Sequence, residues 1–459
     1  MGGGPGGYPA AFRAADLGMD VTLVDLEKNP GGVCLYRGCI PSKALLHIAK
    51  VMSEAEEAHE MGLTYGKPEI DLDKLRSWKE SVVTRLTGGL GGLSNARKVR
   101  RVHGRARFVD NRTLEVELVD GGTQQISFQN AIIATGSRPA EIPIFPQSEK
   151  ILDSTSALDL PDIPEKLLVV GGGYIGLEMA TVYNALGSNV HVVEMMPSLL
   201  AGADKDLVTP LAKRLKQQYE SIMVDTKVVS VDIVDDGVKV QFDGANAVAP
   251  EVVYDKLLVS VGRKPNSENI GLEHTAVKVS QRGFIDVDPQ RRTAEPHIYA
   301  IGDIAGDPML AHKATHEGIV AVEAIAGKKT VFDPMVIPAV VFTDPEIAWA
   351  GLTESEAKEQ GRDVKVAKFP WSASGRATTL ERNEGLTKLI VDRESERILG
   401  VGMTGVNAGD MISEGVIAIE MGANVEDLAL SIHPHPTLSE TVMEAAEAFH
   451  GMSAHFYKK

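Results

Sequence analysis

The chain has 459 residues, of which 43% are apolar and 24% are charged, and its formal net charge at pH 7 is −16. This length predicts about three to four domains with sizeable apolar cores. The acidic balance argues against nucleic acid as a partner, and no window approaches the roughly 18 uninterrupted apolar residues of a membrane span.

The chain opens on a glycine-rich segment, Gly2-Gly3-Gly4-Pro5-Gly6-Gly7, which has the form G-x-G-x-x-G. Asp25 closes the apolar run that follows, Val21-Thr22-Leu23-Val24. In such a segment the glycines let the backbone approach a pyrophosphate, and the acid accepts hydrogen bonds from a ribose diol. Gly2, Gly4, Gly7 and Asp25 are therefore candidate dinucleotide-binding residues.

The first dinucleotide unit has almost no first strand, because only Met1 precedes Gly2. Such a unit normally places an apolar strand directly before its first glycine. Without it, the segment from Val21 to Leu26 loses a ladder partner, and each unpaired buried group costs about 1–3 kcal/mol. We expect the natural product to begin several residues upstream with a Val/Ile-rich run. No signal peptide is expected.

The only two cysteines of the chain, Cys34 and Cys39, lie in one short segment. In a regular helix, residues at this spacing lie roughly 8–9 Å apart, beyond the limit of about 7 Å for a disulfide. A disulfide here therefore requires the segment to leave helical form, which makes the bond easier to reduce. On spacing alone, a redox pair and two inert buried thiols are equally open interpretations.

The following residues predict a long helical stretch from about 41 to 98, with charged side chains outside. Strands are predicted around 101–134, with a turn at Asp120-Gly121-Gly122. Pro161 and Pro164 mark a linker into the next unit.

A second glycine segment, Gly171-Gly172-Gly173-Tyr174-Ile175-Gly176, repeats the first. Its acid is Glu194, and in both copies 23 positions separate the first glycine from the acid and 18 separate the third glycine from it. Gly171, Gly173, Gly176 and Glu194 are thus candidates for a second dinucleotide. Two such sites beside one cysteine pair indicate electron transfer from a nicotinamide through a flavin to sulfur. No arginine follows Glu194 directly, which favours NAD over NADP.

The segment from Gly31 to Lys43, with the sequence GGVCLYRGCIPSK, resembles the flavin disulfide reductases. The C-terminal segment His433-Pro434-His435-Pro436-Thr437-Leu438-Ser439-Glu440 resembles the dihydrolipoamide dehydrogenase family among them. The resemblance covers nearly the whole chain. Its further motifs are Ala134-Thr135-Gly136-Ser137-Arg138-Pro139, Val261-Gly262-Arg263, Ile301-Gly302-Asp303 and Leu310-Ala311-His312-Lys313.

By this resemblance, Cys34 attacks a dithiol substrate and Cys39 faces the flavin of FAD. Lys43 lies near the flavin and pairs with Glu178, and Asp303 binds the ribityl chain. The remaining cofactor contacts implied by the family are at Ala106, Gly136, Val228, Gly262 and Ala311. Inside the redox segment, Tyr36-Arg37 stands where the family often has Asn-Val, which indicates a different loop environment or substrate protein.

His435 and Glu440 form the acid–base dyad that the resemblance implies. A dithiol needs a base to become a thiolate, and a carboxylate fixes the imidazole tautomer. In the family this dyad reaches the disulfide of the other subunit, which implies a homodimer. The implied partner is a lipoylated carrier protein of a 2-oxoacid dehydrogenase complex, of glycine cleavage or of sulfur metabolism. The cysteine usage favours the cytoplasm, and no metal site is predicted.

The expected fold is α/β, with two Rossmann-like dinucleotide-binding domains and a C-terminal α+β dimerisation domain. The expected parts are an FAD-binding domain (1–145), an NAD-binding domain (146–265), a central segment that completes the FAD domain (266–336) and an interface domain (338–459).

The expected activity is oxidation of dihydrolipoamide with reduction of NAD⁺. A mercuric-reductase-like enzyme needs an additional cysteine pair near the C-terminus, which this sequence lacks. A glutathione-reductase-like enzyme needs basic residues after the second acid. A non-catalytic relative within a complex is the alternative from another class.

Overall fold

The computed structural model describes residues 1–457 as a mixed α/β protein. The expected α/β fold is confirmed, because each glycine loop leads into a helix beside parallel strands and an antiparallel sheet with helices follows. No helix among these residues is long and apolar enough to cross a membrane.

The N-terminal part places the first glycine loop beside a four-stranded sheet of order β1-β2-β3-β4. Gly2 donates to the carbonyl of Val24 at 2.8 Å, and Met1 accepts from the amide of Ala134 at 2.8 Å. Its elements are α1 (Gly7–Asp16), β1 (Thr22–Asp25), α2 (Gly32–Arg37), α3 (Cys39–Glu57), α4 (Leu72–Ala96), β2 (Arg100–Asp110), β3 (Thr113–Leu118), β4 (Thr123–Ser127), β5 (Ala131–Ile133) and β6 (Ser137–Pro139).

On one edge β1 pairs in parallel with β2, with Thr22 opposite Arg100. On its other edge, where the sequence lacks a first strand, no strand of the described residues pairs with β1, and the amide of Gly2 donates to the carbonyl of Val24. The upstream start stays a prediction.

The single helical stretch predicted from about 41 to 98 is wrong, because α3 and α4 are separate helices. A short 3-10 turn, Ala58–Met61, ends at Gly62, whose φ of 88° closes the helix end. The connection then runs through Gly66 and Pro68, which favour a turn over a helix. Asp71 restarts the helix as an N-cap, since its side chain accepts from the amide of Lys74 at 3.0 Å.

The second glycine loop follows the central strand, β8, of a five-stranded parallel sheet of order β10-β9-β8-β14-β7. Strands β8 and β9 are buried apolar runs on either side of this loop, as expected for a sheet covered on both faces. The elements are β7 (Ile151–Leu152), β8 (Lys166–Val170), α5 (Tyr174–Leu186), β9 (Asn189–Val193), α6 (Lys205–Gln218), β10 (Ser221–Met223), β11 (Lys227–Val234), β12 (Gly237–Asp243), β13 (Glu251–Tyr254), β14 (Lys256–Val259) and β15 (Arg263–Pro265).

The chain then returns to its N-terminal part. Strand β16 (Ile298–Ala300) pairs in parallel with β5, and α7 (Ala311–Ile325) packs against α1. The last part is an antiparallel sheet of order β17-β18-β21-β20-β19. Its elements are β17 (Ala339–Val341), β18 (Glu346–Gly351), α8 (Glu354–Glu359), β19 (Val364–Pro370), α9 (Gly375–Thr379), β20 (Leu386–Asp392), β21 (Ile398–Gly405), α10 (Ala408–Glu420), α11 (Val425–Leu430) and α12 (Glu440–Phe449).

A buried ammonium group ties this C-terminal sheet to the second dinucleotide unit. Lys388 on β20 is 1% exposed, and its Nζ lies 2.6 Å from Asp204, 2.8 Å from Asp206 and 3.3 Å from Glu354. The three carboxylates have the spacing of a cation site, and Lys388 itself supplies the positive charge. Burial raises the pKa of Asp204, but the hydrogen bonds from Lys388 and from two backbone amides outweigh it and bring the pKa below its ordinary value.

Lys388→Met is expected to lower the free energy of unfolding by about 3–5 kcal/mol, because it leaves the buried carboxylate of Asp204 without its cation. Lys368 is the matched control, since it contacts Asp206 and Glu354 but is 42% exposed. Lys368→Met is expected to cost about 1 kcal/mol or less. Urea denaturation measures both, and equal small losses would contradict the assignment.

Candidate active site

Gly7 and Gly176 occupy the same place in the two dinucleotide units, in the first turn of α1 and α5. A Cβ on Gly7 would overlap the carbonyl oxygen of Gly2, and one on Gly176 would overlap that of Gly171. Both loops therefore turn so tightly that each helix packs directly against its loop, which is the role of the third glycine in such a fold.

The acids Asp25 and Glu194 are held in the same way. An oxygen of Asp25 accepts from the amide of Gly3 at 2.5 Å, and one of Glu194 accepts from the amide of Gly172 at 2.6 Å. The other oxygen of each acid accepts from the amide two residues further along the chain, at 2.8 and 2.7 Å. The internal repeat predicted from the sequence thus has one geometry in both copies.

A cavity of about 750 Å³ begins at the first glycine loop and extends to the two cysteines. The sequence-predicted residues that line it are Gly2, Gly4, Asp25, Cys34, Cys39, Lys43, Ala106, Gly136, Glu178, Asp303 and Ala311. Within residues 1–457, the predicted residues that do not line it are Gly7, Gly171, Gly173, Gly176, Glu194, Val228, Gly262, His435 and Glu440. Val228 lies in β11, beside a register irregularity of its antiparallel sheet.

The cysteine pair spans a break between two helices. Cys34 lies in α2, Cys39 begins α3, and Gly38 between them has φ −148° and ψ −115°. The expected departure from helical form is thus present. The hydrogen bond from the Cys34 thiol, together with the ammonium of Lys43, lowers the pKa of Cys39 to about 7, and that hydrogen bond and burial raise the pKa of Cys34.

Lys43 and Glu178 meet beside this pair. Nζ of Lys43 lies 2.7 Å from Oε2 of Glu178, and the Glu178 side chain is 5% exposed. The other carboxylate oxygen accepts from the amide of Phe342 at 3.1 Å, and Lys43 lies 4.4 Å from the centroid of the Phe342 ring. A buried carboxylate from the second unit therefore fixes a cation beside Cys39.

Ser137 and Arg263 belong to the site, although the sequence singled out only their glycine neighbours. The Ser137 hydroxyl donates to Asp303 at 2.5 Å and accepts from Nε of Arg263 at 2.7 Å. The guanidinium also donates to the Ser137 carbonyl at 2.8 Å. The signal available in the sequence was their position directly after Gly136 and Gly262. The hydrogen bonds themselves depend on the pairing of β6 with β15.

His435 and Glu440 form a contact at the other end of the chain. Nδ1 of His435 lies 2.9 Å from Oε1 of Glu440, and Oε2 accepts from the amide of Thr437 at 2.7 Å. Partial burial raises the pKa of Glu440, but the Thr437 amide and the His435 ring outweigh it, so the pKa lies below its ordinary value. The His435 side chain is 74% exposed. His433 instead is buried against Glu414 at 2.5 Å.

The structure has two glycine loops, each hydrogen-bonded to an acid, and a thiol pair in the cavity of the first loop. This arrangement defines a dinucleotide-dependent disulfide oxidoreductase. The family models agree. Residues 1–318 match the pyridine nucleotide-disulphide oxidoreductase model, and residues 337–446 match the dimerisation domain of the same family. The chain belongs to the pyridine nucleotide-disulphide oxidoreductase family, and the dimerisation domain supports a homodimer.

Similar proteins narrow the class. A dihydrolipoyl dehydrogenase from Vibrio cholerae is 51% identical and covers 98% of this chain and 95% of its own length. One from Haemophilus influenzae is 52% identical over 98% of this chain and 94% of its own length. The crystal structure of LpdA from Mycobacterium tuberculosis has a TM-score of 0.90 at 26% identity, covering 97% of this chain and 98% of its own.

Proposed function

We propose that the chain is an FAD-dependent dihydrolipoyl dehydrogenase that oxidises protein-bound dihydrolipoamide and reduces NAD⁺. The observation that carries this proposal is the cavity that joins the first glycine loop to Cys34 and Cys39. The half-identical relatives named dihydrolipoyl dehydrogenase support the substrate class.

FAD fits the cavity, because backbone amides of the glycine loop line one end, Asp25 offers a carboxylate to a ribose, and the thiol pair lines the other end. Asp303 and Lys43 would hold its middle and its flavin end. When bound, FAD supplies two-electron transfer between a thiol pair and a nicotinamide.

The cysteine pair performs the exchange with the substrate. A substrate thiolate attacks Sγ of Cys34, the Cys34–Cys39 bond breaks, and Cys39 leaves as a thiolate. The second substrate thiol then attacks the mixed disulfide, so that Cys34 leaves and the substrate closes to a cyclic disulfide. The ammonium of Lys43 beside Cys39 favours the negative charge of the thiolate that leaves.

The second glycine loop is the proposed NAD site. Tyr174 and Ile175 belong to the second glycine segment, at the start of α5, and they also line the cavity that holds Cys34 and Cys39. The two proposed dinucleotide sites are therefore adjacent. Glu194 offers a carboxylate to a 2′-hydroxyl and repels a 2′-phosphate.

Glu194→Ala is expected to lower kcat/KM for NAD⁺ by about tenfold, the effect of one lost charge-assisted hydrogen bond, and to narrow the gap to NADP⁺. The control is Glu220→Ala, at an acid directly before the neighbouring strand β10, and it is expected to leave the ratio of kcat/KM for NAD⁺ to that for NADP⁺ unchanged. A wild-type preference for NADP⁺ would show that the assignment is wrong.

The dyad is proposed to act on the partner subunit's cysteine pair. His435 and Glu440 do not line the cavity of their own chain within residues 1–457. Large apolar side chains are exposed on and just after α10 and in the segment that leads from α11 to the dyad: Ile417, Met421, Leu430 and Ile432. A patch of this kind marks an interface, and a dimer that covers it brings the exposed His435 to a second cavity.

The test is NADH formation from dihydrolipoamide by the purified protein, with its flavin absorbance recorded. Turnover of glutathione disulfide with NADPH in preference would favour the glutathione-reductase-like alternative, and colourless, inactive protein would favour the non-catalytic one. A pull-down from the native source then identifies the lipoylated carrier, which we expect to be a cytoplasmic protein.

A further inference from the structure

Tyr36 and Arg37, the two positions at which the redox segment departs from the family, both reach back to the loop after β1. The Tyr36 hydroxyl donates to the carbonyl of Asn29 at 3.0 Å. The Arg37 guanidinium pairs with the carboxylate of Glu27. The helix that carries Cys34 is therefore tied at two points to the loop that follows Asp25.

These contacts lie at the part of the cavity that is lined by the carboxylates of Asp25 and Glu27. Asp25, Glu27 and Arg37 all line it. Burial raises the pKa of Asp25, and the amide of Gly3, Arg37 and His103 act in the opposite direction. The permanent cation among these side chains is Arg37.

A ligand with a pyrophosphate adds negative charge beside two carboxylates. A guanidinium offsets that charge and donates hydrogen bonds in a fixed fork. The Arg37–Glu27 pair itself is partly exposed, with side-chain exposures of 39% and 28%, so its attraction alone contributes little to the stability of the fold. Its effect is greatest when an anion is bound.

We propose that Tyr36 and Arg37 form a clasp, with Asn29 and Glu27 as its other half, that holds the adenosine and pyrophosphate part of FAD in the cavity. The clasp governs how long the cofactor is retained, not which dithiol the enzyme accepts. The proposal rests on the proposed function in one respect, that FAD occupies this cavity.

The experiment measures FAD release from the holoenzyme, as the rise in flavin fluorescence after dilution. Arg37→Val is expected to speed release by about tenfold, the effect of one lost charge-assisted contact. Arg37→Lys, which keeps the positive charge, is expected to release FAD more slowly than Arg37→Val but faster than the wild-type protein. Tyr36→Phe also speeds release, because it removes the hydrogen bond to the carbonyl of Asn29.

Arg107→Val is the matched control. Arg107 pairs with Glu115 in the same region but is 63% exposed and does not line the cavity in the part of the chain that the structure describes. FAD release from Arg37→Val at the rate of this control overturns the clasp, as does a changed KM for dihydrolipoamide with unchanged release. A wild-type protein that takes up no FAD overturns the proposed function and the clasp together.

Discussion

Cys34→Ser should lower the rate of dihydrolipoamide oxidation by at least about 10³-fold, as expected when a covalent nucleophile is lost. The hydroxyl of serine forms no disulfide with Cys39, so the substrate thiolate has no sulfur–sulfur bond to attack. NADH oxidation by an artificial dye should continue, because electrons pass from nicotinamide to flavin without the cysteine pair. The two rates are measured on the same preparation.

The dye reaction also serves as the control for folding and FAD content. Cys39→Ser should lose dithiol oxidation as well, since the pair acts as a unit. Dithiol turnover that persists in Cys34→Ser, with normal FAD content, would show that another group accepts the electrons and that the cavity geometry has been misassigned.

Much of the site was predictable from local patterns. The two glycine segments give matched geometry, because tight turns and acid-to-amide hydrogen bonds depend on residues close in sequence. The helix break between Cys34 and Cys39 followed from the reach of a disulfide. Such features depend on backbone geometry within a few residues.

Other features depend on tertiary structure. The ion pair of Lys43 with Glu178 joins residues 135 positions apart, and only the resemblance to a family predicted it. The contact of Ser137 with Asp303 depends on where two distant loops meet. The predicted helix across 58–71 failed because a 3-10 turn and an N-cap interrupt a stretch with helical composition.

The dimer is a feature that one sequence cannot specify by pattern alone. His435 and Glu440 lie close together because a loop enters α12, and Glu440 is the first residue of that helix. Among the residues that the structure describes, the dyad does not line the cavity of its own chain, and association of two copies would allow it to reach the cavity of the other copy. The exposed Ile432, beside the dyad, is 98% exposed in the single chain and is suited to an interface.

His435→Gln should lower kcat/KM for dihydrolipoamide by about 10²-fold or more, the usual effect of losing a general base. Glutamine has similar size and hydrogen-bonding groups but takes up no proton, so the substrate dithiol stays protonated at neutral pH. FAD content and dye reduction by NADH should stay normal. His433→Gln is the matched control, because His433 is buried against Glu414 and is expected to act mainly in packing. Stopped-flow measurement of flavin reduction by dihydrolipoamide separates the two variants. If His435→Gln reacts at nearly the wild-type rate and His433→Gln is slow, the base is His433, and the dyad with Glu440 has a structural role.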